Sequence, residues 1–260
     1  MFKMRIVLAA FAILFATRSI TSADDSKPPY HGTIFINGNI VTEEDRSVFE
    51  RIESKNSAKR RMFDHRVNKF IENEPFLFDA FYEDGLMIEI QVNSEFESPE
   101  RAAKLAEEYA IEFGRLPKCL RTNVRTSWIH AGKQLFGGGN ENLLIHIDQA
   151  AEYRRQGILE ETLIHEATHT SLDPLYARHP DWIKAQQSDP TAISTYAKDH
   201  PNREDLAETF LLWFAVRHRR DRLTPEQTET IERSIPARLV FLDSLQLDLS
   251  PLIPSNPIDL

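Results

Sequence analysis

Gly157-Ile-Leu-Glu-Glu-Thr-Leu-Ile-His-Glu-Ala-Thr-His-Thr-Ser-Leu-Asp-Pro174 is the stretch on which the reading of this chain turns. No Pro or Gly interrupts residues 158–173, and Leu159, Leu163, Ile164 and Ala167 give a helix there a buried face. Pro174 stops the pattern. The helix carries His165-Glu166-x-x-His169. Residues four apart project from one face a turn apart, so both imidazoles can aim at one ion. Glu166 follows about 100° further round, where it can reach a water on that ion without competing as a ligand. Zinc lowers the pKa of bound water toward about 7, and a carboxylate can then take its proton during attack on a carbonyl.

A catalytic zinc needs a third protein ligand and an open position. A third histidine six residues after His169 is excluded, because position 175 is Leu. Asp173, next to Pro174, reads as a residue of the C-terminal turn. The better candidate lies in Pro201-Asn-Arg-Glu-Asp-Leu-Ala-Glu-Thr-Phe210, where Asn202 is placed as an N-cap with Asp205 at the capping-box position. Glu204, Ala207, Glu208 and Leu211 then share one face. Ala207 lets this helix approach another closely, Glu204 is the third ligand, and Glu208 supplies the acceptor that a ligating imidazole needs for its other N–H.

His165-Glu-Ala-Thr-His169 followed by Glu204-Asp-Leu-Ala-Glu208 resembles the gluzincin branch of the zincin-like metallopeptidases, in the arrangement of the anthrax lethal factor catalytic domain. The resemblance spans roughly residues 98–220. It implies zinc on His165, His169 and Glu204, and Glu166 as general base. It also implies a tyrosine facing the metal, for which Tyr196 is the match, displaced by about one residue, with Tyr176 as the alternative; its hydroxyl would bond the developing oxyanion. The family pattern further places a substrate-binding edge strand before the active helix, a role that suits Leu143–Ile147 and an extended peptide.

Working outward, the fold class is α+β. Residues 24–97 read as β-rich: Thr33–Ile36 as a strand ending at Asn37-Gly38, then a hairpin of Phe76–Tyr82 and Leu86–Val92 around Asp84-Gly85. Residues 43–71 are ambiguous. Ser98 caps a helix with Pro99 at its first position and Gly114 as the C-cap candidate. A strand is expected over 120–130, a turn at Gly137-Gly-Gly-Asn140, and helices over 149–156, 159–171, 202–218, 225–234 and 237–246. Residues 98–246 form the expected catalytic domain, and 247–260 a Pro-rich tail.

The first 23 residues have a basic start (Lys3, Arg5), an apolar run from Ile6 to Ala16 and small residues before Asp24, the pattern of a secretory signal. The expected location is therefore secreted, extracellular or periplasmic, with no membrane attachment once the signal is removed. With 31 Lys+Arg against 40 Asp+Glu the chain is acidic, which argues against nucleic acid as a partner. A single cysteine, Cys119, excludes an internal disulfide and any Cys-based zinc site, and it reads as buried filler.

Other residues have bland readings. His130 and His146 alternate within strands and read as structural, His179 and His200 as loop residues within reach of substrate, and Lys59-Arg60-Arg61 as a solvated basic cluster. The leading expectation is a monomeric, exported zinc metallopeptidase acting on a peptide or protein. The alternative is a secreted non-catalytic protein whose structural zinc is closed by a fourth ligand from Asp173, Glu208 or His200.

Overall fold

The computed structural model describes residues 27–254; the expected signal segment 1–23 lies outside them. The protein is α+β, with a six-stranded mixed sheet of order β1-β4-β5-β6-β8-β7. The strands are β1 (Phe49–Lys55), β4 (Phe76–Tyr82), β5 (Met87–Val92), β6 (Thr126–His130), β7 (Gly137–Gly139) and β8 (Asn142–His146). β2 (Arg60–Asp64) and β3 (Lys69–Asn73) pair as a separate two-stranded hairpin. The β4–β5 hairpin forms where Asp84-Gly85 predicts it, with Gly85 at φ +81, a left-handed conformation that glycine adopts freely. β5, β6 and β8 run parallel, and β7 folds back antiparallel on β8.

The boundary drawn at residue 97 falls between β5 and the helix that follows, yet β5 pairs directly with β6. Strands from both sides of that boundary thus build one sheet. Thr33–Phe35 corrects another expectation: it is a short 3-10 helix, not a strand. Ile34 packs against the core instead of joining a sheet ladder, and Phe35 is left exposed.

Helix α1 (Pro99–Arg115) starts as expected, with Ser98 Oγ accepting from Arg101 N–H. Gly114 is inside the helix, and Leu116 is the C-cap. Gly114 is there for space: a Cβ would stand 2.2 Å from Ser47 Oγ. The strand expected from 120 begins only at Thr126, because Lys118–Arg121 forms a helical turn, α2. The tail is docked over its described part, since Lys118 and Cys119 N–H groups donate to Ser250 and Asp248 carbonyls and Leu249 and Leu252 are buried. Cys119 is half-buried, with burial pushing its thiol up to about 12, in keeping with filler.

The helical half contains α3 (Ile147–Gln156), α4 (Leu159–Ser171), α5 (Asp173–Tyr176), α6 (Pro180–Ser188), α7 (Thr195–Asp199), α8 (Asp205–His218), α9 (Pro225–Ser234) and α10 (Pro236–Ser244). α4 lies against β7 and α8. Its Leu159, Leu163, Ile164 and Ala167 are all at most 1% exposed. α8 is buried all round from Asp205 to Val216, which marks a central helix whose place is set by burial on every face. Two buried helices packed together fix the side chains between them, and the candidate site lies in that seam.

Candidate metal centre

His165 and His169 come from successive turns of α4, as their spacing requires, and their Nε2 atoms lie 3.1 Å apart. Glu204 completes the group: its Oε2 is 3.1 Å from His169 Nε2 and 3.4 Å from His165 Nε2. A tetrahedral ion bound at about 2.0–2.1 Å needs donors about 3.3 Å apart, so this triangle has the size of one face of such a coordination shell. The three residues form a group that could hold a metal ion.

Glu204 reaches this position from a helix start two residues later than the sequence suggests. α8 begins at Asp205, Glu204 is its N-cap, and Asn202 lies outside. Asp205 is no capping-box residue. It is fully buried, where its carboxylate accepts from Arg238 Nε at 2.9 Å and Gln186 Nε2 at 2.7 Å. Glu204 is 2% exposed, and burial alone would raise its pKa. Hydrogen bonds from His165 and His169 outweigh that and hold it well below the ordinary carboxylate range. Arg203 Nε donates to the other oxygen, Oε1, at 2.9 Å.

Carboxylates also stand behind the two imidazoles. Glu208 Oε1 is 3.5 Å from His165 Nδ1, close to the role expected of it. Asp173 Oδ2 lies 2.6 Å from His169 Nδ1, which corrects its reading as a mere turn residue. Burial would lower the pKa of His169, but Asp173 and Glu204 push it up to about 10. The cluster therefore favours positive charge at this point, and a divalent cation supplies more of it than a proton.

The group opens on a cleft of about 1160 Å³. Glu166 lines it and is half-buried. Tyr196 lines it too, at 40% exposure, with its hydroxyl hydrogen-bonded toward Glu204; burial and that carboxylate push it up to about 12. Tyr176 does not line the cleft and packs on Phe241 and His179. Nor do His179 and His200: the first caps α6, and the second stands edge-on to Tyr196. Searched against protein families, curated proteins and solved structures, the chain finds no match in any of the three.

β8 is an inner strand as far as Leu144: β6 pairs along one whole side, and β7 covers Asn142, Leu143 and Leu144 on the other, so Gly137-Gly138-Gly139 is the outer strand there. That segment, expected as a turn with Asn140, is a strand; the turn falls at Asn140-Glu141, and glycine is required where the strand meets α4. A Cβ on Gly138 would stand 1.9 Å from the Glu166 carbonyl oxygen. Thr170 joins the layers: its Oγ1 accepts from Gly139 N–H at 2.8 Å and donates to Asn142 O at 2.9 Å.

The two remaining core histidines, read from sequence as structural, are fully buried and partnered through Nδ1. His130 Nδ1 meets Asn93 Nδ2 at 2.8 Å, His146 Nδ1 meets Ala131 O at 2.9 Å, and the rings stack at 5.4 Å. In the basic cluster Lys59 and Arg61 are exposed, as expected, with Arg61 over Phe70, while Arg60 is half-buried and binds Glu89 through Nε and Nη2.

Proposed function

We infer that the protein is an exported zinc-dependent metallopeptidase with a zincin-like arrangement, using His165, His169 and Glu204 as metal ligands. The observation that carries this reading is the triangle of two Nε2 atoms and one Oε2, with edges of 3.1, 3.1 and 3.4 Å, facing a cleft lined by Glu166 and Tyr196. Two neutral imidazoles and one carboxylate are the donor set of a catalytic zinc. When bound, the metal supplies an activated water and polarises the scissile carbonyl.

The chain's own residues supply the rest. Glu166 takes a proton from the attacking water and passes it to the leaving amine. The Tyr196 hydroxyl donates to the oxygen on which negative charge develops. Asp173 accepts from His169 Nδ1–H, and the Glu208 carboxylate faces His165 Nδ1 at 3.5 Å, which favours Nε2 of each ring as the ligating nitrogen. The β7 edge gives an extended peptide a backbone ladder beside the site.

A structural zinc closed by four protein ligands fits less well. Asp173 and Glu208 face the Nδ1 side of the imidazoles, and His200 stands edge-on to Tyr196. Among the described residues the cluster holds three donors, which leaves a position for water. The expected export rests on residues 1–23, and among the described residues no helix is long and apolar enough to cross a membrane. The chain is taken to act as a monomer on a peptide or protein.

The test is metal content of the purified mature chain by ICP mass spectrometry, wild type against Glu204→Ala, together with hydrolysis of a peptide library. One zinc per chain, weakened by the substitution, and chelator-sensitive cleavage are expected. No zinc uptake when zinc is supplied refutes the reading.

A further inference from the structure

The segment Tyr30–Phe35 lies about 130 residues before the His-Glu-x-x-His helix, yet it touches the site at several points. Thr33 N–H donates to Glu208 Oε2 at 2.9 Å, while Oε1 of the same carboxylate faces His165 Nδ1. Glu208 is thus anchored through Oε2, and the strap fixes the rotation that turns Oε1 toward His165, a metal ligand. Tyr30 and His31 carbonyls accept from Thr195 and Tyr196 N–H at 2.9 and 3.2 Å, so the same strap carries the start of the helix that presents Tyr196. Tyr30 also forms a parallel bridge with Ser194. Thr33 is fully buried, whereas Phe35, two residues on, is 65% exposed and lines the cleft. Leu135, before the glycine edge, is 66% exposed in the same cleft. Apolar surface left bare beside a candidate reaction centre marks a place for a ligand's apolar groups.

We propose that Tyr30–Phe35 is a working strap of the active site: its backbone positions Glu208 and Tyr196, and its Phe35 ring forms an apolar wall that selects substrates with a bulky apolar side chain. The proposal rests on the metallopeptidase reading for its substrate half, and on metal binding alone for its positioning half. Thr33 is a positioning residue, acting on the metal through Glu208 and His165. It occupies the first position of a short 3-10 helix, where proline's fixed φ is tolerated and only the N–H is lost.

The experiment measures zinc affinity by competition with a chromophoric chelator, and kcat and KM on paired peptides that differ by Leu or Ala beside the scissile bond. Thr33→Pro is expected to weaken zinc binding about tenfold, the scale of lost outer-shell support. Thr33→Ala keeps the N–H and restores tight binding. Phe35→Ala is expected to raise KM for the Leu peptide about tenfold while the Leu-to-Ala preference collapses. If Thr33→Pro fails to fold, Phe35→Ala still tests the strap, because that ring is mostly in solvent. Zinc affinity equal in Thr33→Pro and wild type, or a Leu preference untouched by Phe35→Ala, overturns the strap and leaves the peptidase reading standing. A wild type that binds zinc but cleaves nothing overturns the peptidase reading, while the Thr33 comparison still decides the positioning role. A wild type that takes up no zinc overturns both.

Discussion

Asp173 Oδ2 and His169 Nδ1 lie 2.6 Å apart, one helical turn after the histidine pair and across the break between α4 and α5. The contact fixes which nitrogen of His169 faces Glu204. With Nδ1–H donated to Asp173, the Nε2 lone pair is presented to the metal position. Asp173→Ala is expected to weaken zinc binding about 10- to 100-fold with the chain still folded. Chelator competition on the refolded variant checks it, and an unchanged affinity would remove Asp173 from the site.

Glu166 is the residue whose loss should separate binding from chemistry. It lines the cleft but belongs to none of the close donor contacts among His165, His169 and Glu204. Glu166→Gln keeps shape and hydrogen-bonding capacity while removing the base. Zinc content should stay at one per chain while kcat falls about 10²- to 10⁴-fold. A variant that loses zinc and activity together would instead place Glu166 among the ligands.

The seam between α4 and α8 was legible in the sequence because α4 has a periodic apolar face and α8 a marked start with Glu204, Ala207 and Glu208 on one side. His165, Glu166 and His169 need only the i, i+4 rule, and Glu204 and Glu208 follow from a second helix with a close-packing Ala207. The true start of α8 was less legible. Asn202 looks like a cap, but Glu204 occupies that place and spends its carboxylate on the histidines. Asp173 was readable in principle, four residues beyond His169. The strap was not, since Thr33-Ile-Phe-Ile36 alternates like a strand and only long-range contacts to Glu208 and α9 decide otherwise. The edge was hidden for a local reason: Gly137-Gly-Gly139 reads as a turn, yet it pairs with Asn142, Leu143 and Leu144 across a tight turn at Asn140-Glu141.

Glu161 gives stability a pH dependence of known sign. Its side chain is fully buried, and Oε1 accepts from the N–H groups of Ile40 and Val41 at 2.9 and 3.1 Å. Burial outweighs those bonds and raises the carboxyl from 4.5 to about 7. The native state then binds more protons than the unfolded chain between those values, so the contribution is full below about 4.5 and lost as pH rises through 7. The swing is on the order of 3 kcal/mol. His130, pushed down to about 4 by burial, slopes the other way, so the comparison must be with Glu161→Gln, which keeps an acceptor and loses the charge. The urea midpoint of the variant is expected to exceed that of wild type at pH 8 and to lose the advantage at pH 5. A constant difference across that range would show that Glu161 does not titrate in the folded state.

Gly138 tests whether the edge strand and the reactive helix move as one. A Cβ there meets the Glu166 carbonyl oxygen at 1.9 Å and its carbon at 2.6 Å, and both are backbone atoms that cannot rotate away. Gly138→Ala must therefore push β7 off α4 or bend α4 at Glu166. Either response costs about 1–3 kcal/mol, the usual scale of overpacking. The two can be told apart. Moving β7 also pulls Gly139 N–H from Thr170 Oγ1 while leaving His165 and His169 in place, so zinc affinity stays near wild type and peptide KM rises. Bending α4 disturbs the 3.1 Å spacing of the two Nε2 atoms, so zinc affinity falls with stability. α4 is buried between sheet and α8, whereas β7 is three residues at an edge, so the strand should yield and the metal should stay. Urea unfolding, zinc competition and KM measured on this one variant decide between them.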